Sequence, residues 1–294
     1  MTRRLMETGV LILSWAMALI LFSSVLVFVG YLLVKGVPSL GIELVFGEAD
    51  PLEALLGRAR VFDGIYPAIV GTICLVLLST ALAAPAGICA GVYLAEYASP
   101  PARKLLGLFF DILAGIPSIV IGLFGFSVAV FLHHRFGGRI GPSLVISAGS
   151  LAFLVLPYII RSTQASLEGL PAPIRRTAPA LGATRLQNIG YVLLPRALPG
   201  ITSGVILAVG RCAEDTAVIL LTGVVATAGV PSSLLSQYEA LPFYIYYISG
   251  QYSDATELAR GYGACLILLC ICAALFTAAY AVQNRLAHRA LYRA

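Results

Sequence analysis

The chain has 294 residues, 59% hydrophobic and 11% charged, against roughly 25% charged in soluble domains; with a mean hydropathy of +0.93 it reads as an integral membrane protein. Its formal charge of +5 is spread along the chain without a basic tail, so nucleic acid has no electrostatic footprint and the charge is read as a topology signal. The six cysteines, Cys74, Cys89, Cys212, Cys265, Cys270 and Cys272, all fall in apolar runs; they act as small hydrophobes, and no spacing among them is that of a metal site.

A crossing needs about 20 mostly apolar residues. Six stretches qualify, at about 9–34, 67–95, 105–132, 142–165, 199–223 and 261–284. The first follows Arg3 and Arg4 but is too long for a signal-peptide core of about 7–15 residues, so it reads as a retained span. The 36–66 connection is acidic, with Glu43, Glu48, Asp50, Glu53 and Asp63. The third stretch begins with Asp111, read as an interfacial group near Arg103 and Lys104, and continues as Ala114-Gly115-Ile116-Pro117-Ser118. Pro117 removes a helical hydrogen bond and Gly115 loosens the backbone, which predicts a kink. Ser118 is a candidate donor to an anion; the alternative is a hydroxyl satisfied by its own helix. His133 and His134 close the span with no third ligand nearby.

Between the fourth and fifth spans, Leu170 to Pro199 carries Arg175, Arg176, Arg185 and Arg196, with Ile174, Leu181, Leu186, Ile189 and Val192 at helical spacing. A basic amphipathic segment in the loop of a membrane protein offers a surface to a cytoplasmic partner. The fifth span is interrupted by Arg211, Glu214 and Asp215 within Gly210 to Gly223. Each such charge costs about 2.5–3.5 kcal/mol at mid-bilayer and by default faces the bundle interior or a wet pathway. Arg211 and Glu214 are spaced to pair on one helix face. The planar fork of Arg211 suits an oxyanion; a pair that only locks helices together is the alternative. Beyond it, Tyr238, Phe243, Tyr244, Tyr246, Tyr247 and Tyr252 read as an aromatic belt.

Lysine and arginine favour one side two to one, which predicts cytoplasmic termini and a cytoplasmic 166–198 loop; Arg135 and Arg139 run against this bias. No loop holds a soluble domain, and no internal repeat or pair of broken helices of the secondary-transporter kind is recognised. The two lysines, Lys35 and Lys104, fit no Walker A motif, so nucleotide hydrolysis would belong to another subunit.

The loop resembles the EAA loop of bacterial ABC-importer permeases, E-A-A-x-x-x-G-x9-I-x-L-P. Arg176-Thr177-Ala178 stand at the first positions, Gly182 at the glycine, and Val192-Leu193-Leu194-Pro195 at the end, with Arg176 in place of the glutamate. Ala114 to Phe124 (AGIPSIVIGLF), Gly87 to Tyr97 (GICAGVYLAEY) and Gly210 to Ala217 (GRCAEDTA) resemble the phosphate-specific Pst branch, and the order of elements looks more like its PstA type than the PstC partner. These matches cover about half the chain.

The resemblance implies an all-α integral membrane fold, six transmembrane helices of the type I ABC-importer permease class with a cytoplasmic coupling helix, in the bacterial inner membrane. Residues 1–66 would be the first helix and a periplasmic loop, 67–284 the core permease domain, and 285–294 a cytoplasmic tail. It implies a substrate path with Arg211, Glu214, Asp215, Thr216 and Ser118, a kink at Gly115 and Pro117, and coupling to an ATPase through Arg175, Arg176, Ala178, Leu181, Gly182 and Ala183. Partners would be a PstC-like permease, two PstB-like ATPases holding ATP and Mg, a PstS-like phosphate-binding protein and membrane lipid, with no cofactor or metal on this chain and no catalytic residue. Alternatives are another oxyanion (sulfate, molybdate, phosphonate), a proton-coupled secondary transporter using Glu214 or Asp215, and a subunit that reports phosphate status to a sensing regulator.

Overall fold

A computed structural model describes the backbone of residues 2–56, 61 and 63–292 and the side chains between 6 and 285 outside the same gaps. Six of the arginines that enter the two-to-one bias, Arg3, Arg4, Arg58, Arg60, Arg289 and Arg293, lie outside the described side chains. Among the described residues the chain is helical, apart from one isolated bridge between Val224 and Tyr238. In order the helices are α1 (Thr2–Gly36), α2 (Ile42–Phe46), α3 (Pro51–Leu55), α4 (Tyr66–Val92), α5 (Pro100–Ala114), α6 (Ser118–Arg135), α7 (Leu144–Glu168), α8 (Ala172–Ala180), α9 (Arg185–Asn188), α10 (Leu194–Glu214), α11 (Thr216–Thr222), α12 (Leu241–Gln251) and α13 (Ala255–Tyr292). Two single π-helical turns, Tyr93–Tyr97 and Ile189–Leu193, extend α4 and precede α10.

Among the described residues, six helical stretches are long and apolar enough to cross a membrane: Met6–Ser39, Tyr66–Tyr97, Ser118–Arg135, Leu144–Glu168, Arg185–Glu214 and Ala255–Arg285. Four agree with the hydropathy reading apart from their ends. The third and fifth do not. Non-helical backbone at Gly115–Pro117 separates α5 from α6, so the predicted kink is a full break. The fifth crossing, expected at 199–223, starts near Arg185 and stops at Glu214; Asp215 is extended, with φ −78° and ψ 109°, and a separate short helix follows.

The centre of the bundle is α7, flanked by α4 and α10. Its buried face mixes small residues (Ser147, Ala148, Ala152) with Leu151, Val155 and Ile159, and small side chains let apolar helices approach without water-driven packing. Gly200 and Gly204 of α10 lie against Ser166 and Ser162 of α7; the two helices therefore run antiparallel. By contrast α1 buries none of its apolar window and meets α13 through Tyr31 and Tyr262, rings edge-on at 5.8 Å. The aromatic belt needs one correction: Tyr238 is fully buried in the main core. The backbone of the 224–240 loop folds inward, Val225 donating to the Tyr238 carbonyl at 3.0 Å, while Tyr246, Tyr247 and Tyr252 stay exposed.

Candidate functional site

The two breaks lie side by side. A methyl group on Gly122 of α6 would sit 3.0 Å from the Ala217 carbonyl oxygen, and one on Gly125 would sit 2.7 Å from the Thr222 methyl. Thus α6 and α11 run parallel, and Ser118, one turn before Gly122, is level with the Glu214–Thr216 break. On α7 the interior Pro157 falls near the same depth, since a methyl group on Gly125 of α6 would meet Ser150 of α7. No pair of broken helices is recognised along the chain, yet two interruptions meet here, an arrangement that secondary transporters use to form substrate sites.

Arg211 donates through Nη1 to Glu214 Oε1 at 2.9 Å. Its Nη2 is 4.0 Å from Asp215 Oδ2, too far for a hydrogen bond, and its buried Nε has no partner among the described residues. A guanidinium has five N–H donors, so most of the fork is uncommitted. The Arg211 and Glu214 side chains are 40% and 63% exposed: this pair does not seal a core. Asp215 behaves differently. Its side chain is 4% exposed and accepts from Val218 N at 2.9 Å, which makes it the N-cap of α11. Thr216 is the first residue of that helix and Ser118 the first of α6, both half-buried.

The basic loop is a short helix, α8, a Schellman stop and the one-turn helix α9. Ala183 N donates to Ala178 O at 3.1 Å and Gly182 N to Pro179 O at 3.0 Å, which is the bond pair that closes a helix on a left-handed residue. Gly182 sits at φ +84°, where a β-carbon costs about 1–2 kcal/mol. Thr184 and Gln187 then form a capping box for α9. Of the apolar residues expected to share a face, Ile189 is buried, whereas Leu181 and Leu186 are 84% and 73% exposed. Arg176 is exposed and Ala178 and Ala183 are half-buried. Arg175 turns inward: it pairs with Glu96 and donates to Leu167 O at 2.7 Å.

Sequence reasoning missed two polar hubs. The first is Asp111, whose partner is Arg161 rather than Arg103 or Lys104: Arg161 Nε donates to Asp111 Oδ1 at 2.9 Å and Nη2 lies 2.6 Å from Oδ2. Arg161 also donates to Gly107 O and Gln164 Oε1, and Gln164 passes the chain on to Glu168, which Arg103 approaches at 3.4 Å. The second is Glu96. It is the only carboxylate between Asp63 and Asp111, and that isolation was the available signal.

The chain matches the family described as "Binding-protein-dependent transport system inner membrane component" over residues 87–292. It is similar to the phosphate transport system permease protein PstA of Haemophilus influenzae, 33% identical over 84% of this chain and 83% of that protein. The PstA protein of Pasteurella multocida is 32% identical over 81% and 80%. YqgI of Bacillus subtilis, a probable ABC transporter permease protein, is 28% identical over 81% and 82%. In three dimensions the chain is similar to the MetNI methionine ABC transporter in an inward-facing conformation, with a TM-score of 0.58 at 20% identity, over 81% of this chain and 99% of that one.

Proposed function

The chain belongs to the family of inner membrane components of binding-protein-dependent transport systems, and we propose that it is the PstA-type permease subunit of an ATP-driven importer of inorganic phosphate. The observation that carries this reading is the half-exposed Arg211, most of its donors unspent, at the level where α5/α6 and α10/α11 are both interrupted. A phosphate oxygen pair matches a planar guanidinium fork, and Glu214 offsets the charge so that the anion is released rather than trapped. The Ser118 hydroxyl and the first turns of α6 and α11 stand at the same depth. The chain does no bond chemistry; it moves between openings toward either side.

Force comes from elsewhere. Both termini and the 166–198 loop lie on the cytoplasmic side, and exposed Leu181, Leu186 and Arg176 dock on one of two PstB-like ATPases, which bind ATP and Mg. A PstC-like permease completes the passage, and a PstS-like protein delivers phosphate from the periplasm. The proton-coupled alternative loses support from Asp215, whose carboxylate is held by Val218 N as a helix cap.

The test is uptake of labelled phosphate by the purified complex in proteoliposomes, with ATP inside and the loaded binding protein outside. Uptake that requires ATP and is not displaced by excess sulfate or molybdate is expected. Transport of sulfate in preference to phosphate, or uptake driven by a proton gradient without ATP, would overturn the reading.

A further inference from the structure

We propose that the Glu96–Arg175 ion pair is the joint through which the loop moves the membrane spans; Arg175 is then a positioning residue and not an ATPase contact. The proposal rests on the reading of the 166–198 loop as the docking site of an ATPase. α8, the helix that presents Arg176 and leads to Leu181, has no buried residue. Its apolar Ile174 and Ala178 are only half-buried, a weak hold on the bundle, and a push on the helix would be absorbed by rocking unless something rigid ties it down.

That tie converges on Arg175. Its Nη2 pairs with Glu96 in the π-helical turn ending α4, and its Nη1 donates to Leu167 O at the end of α7, at 2.7 Å. Its backbone carbonyl accepts from Asn188 Nδ2 at 3.1 Å, and Asn188 is the last residue of α9 leading into α10. One residue of α8 thus holds the ends of the three helices that form the bundle centre. The pair is well shielded, Glu96 at 9% and Arg175 at 25% side-chain exposure, so it is far less screened than a surface pair. Arg185 of α9, stacked 4.7 Å over the Tyr97 ring, ties α9 to the same π-helical turn that carries Glu96. Below them Ala95, Leu167, Ile189 and Leu193 form a compact apolar patch, which anchors α9 and the π-turns but leaves α8 outside. π-helical turns leave the helical ladder locally irregular and recur at functional sites; here one sits on each side of the joint.

The experiment measures phosphate imported per ATP hydrolysed by the whole complex in proteoliposomes, for Glu96→Gln, Arg175→Gln and the swapped double variant Glu96→Arg/Arg175→Glu. The single variants are expected to co-purify with the ATPase subunits at wild-type ratio and to hydrolyse ATP, while phosphate per ATP falls about fivefold or more; the swap restores it. Single variants that keep the wild-type ratio would overturn the proposal. Where a single variant fails to assemble, the swap decides: assembly with a wild-type ratio supports the joint, and assembly with a collapsed ratio overturns it. A wild-type complex that hydrolyses ATP without moving phosphate would instead fault the permease reading, before any variant is compared.

Discussion

Two arginine–carboxylate assemblies in this chain use the same chemistry to opposite ends. Arg175 and Glu96 are shielded, and the guanidinium also donates to the Leu167 carbonyl, so both of its terminal nitrogens are engaged away from solvent. Arg211 and Glu214 are open, at 40% and 63% side-chain exposure, with one hydrogen bond made and the remaining donors spare. On the proposed reading, donor commitment, not residue type, separates a fastener from a binding group. Arg161 falls on the fastener side by its commitments alone, since its pair is as open as that of Arg211, at 35% and 63% side-chain exposure: both carboxylate oxygens of Asp111, the Gly107 carbonyl and Gln164 share it.

The contrast is broken most directly at Arg211. Arg211→Ala should abolish uptake of labelled phosphate while the complex still assembles; normal entry in that variant would end the path assignment. Next comes Arg161→Met, which strands Asp111. With Asp111 63% exposed it should lower stability by about 1 kcal/mol, the upper end for exposed ion pairs, read as a fall in melting temperature, with transport per assembled complex unchanged. Asp215 sharpens the comparison, because it lies one residue from Glu214 yet is buried. Asp215→Ala should cost about 0.5–2 kcal/mol and Asp215→Asn much less, since asparagine caps nearly as well. An asparagine variant that keeps its melting temperature but loses uptake would return Asp215 to the transport path.

The smallest effect is a pH slope at Glu239. Burial pushes this carboxyl above its ordinary value of 4.5, against the pull of the Gly229 and Ala228 backbone N–H groups. The folded state therefore holds the proton more tightly than the unfolded chain. That contribution to stability is complete below the ordinary value and is lost as pH rises through the raised one. Melting curves from acid to neutral pH should show this decline in the wild type, and Glu239→Gln should flatten it; an unchanged slope would remove Glu239 as the cause.

Much of the membrane architecture was legible along the chain. The apolar runs of α1, α4, α7 and α13 are each long enough to cross a bilayer. Arg211 announced itself because a charge in such a run is costly. The loop's stop was visible too: Gly182 was singled out by pattern, and its left-handed φ of +84° supplies the reason. Less legible was the depth of the breaks. Gly115 and Pro117 predict a kink; the full break closes on local turn bonds, Gly115 N to Ile112 O and Ile116 N to Leu113 O, and the resumed helix packs on α11 at Gly122, a contact that no residue near the break announces. Asp215 read as a third intramembrane charge because capping needs a helix start that nothing in the apolar run after it declares.

The linear chain alone thus determined its solvent, its number of crossings and the few charged positions too expensive to be idle, since those follow from transfer free energies that add along a segment. Which arginine is spent and which is available was decided only when distant helices closed around them. Glu96 and Arg175 are 79 residues apart, as Asp111 and Arg161 are 50 apart. Pairing at such separations is a property of packing, which sets both the geometry of a guanidinium's partners and the water left to compete with them.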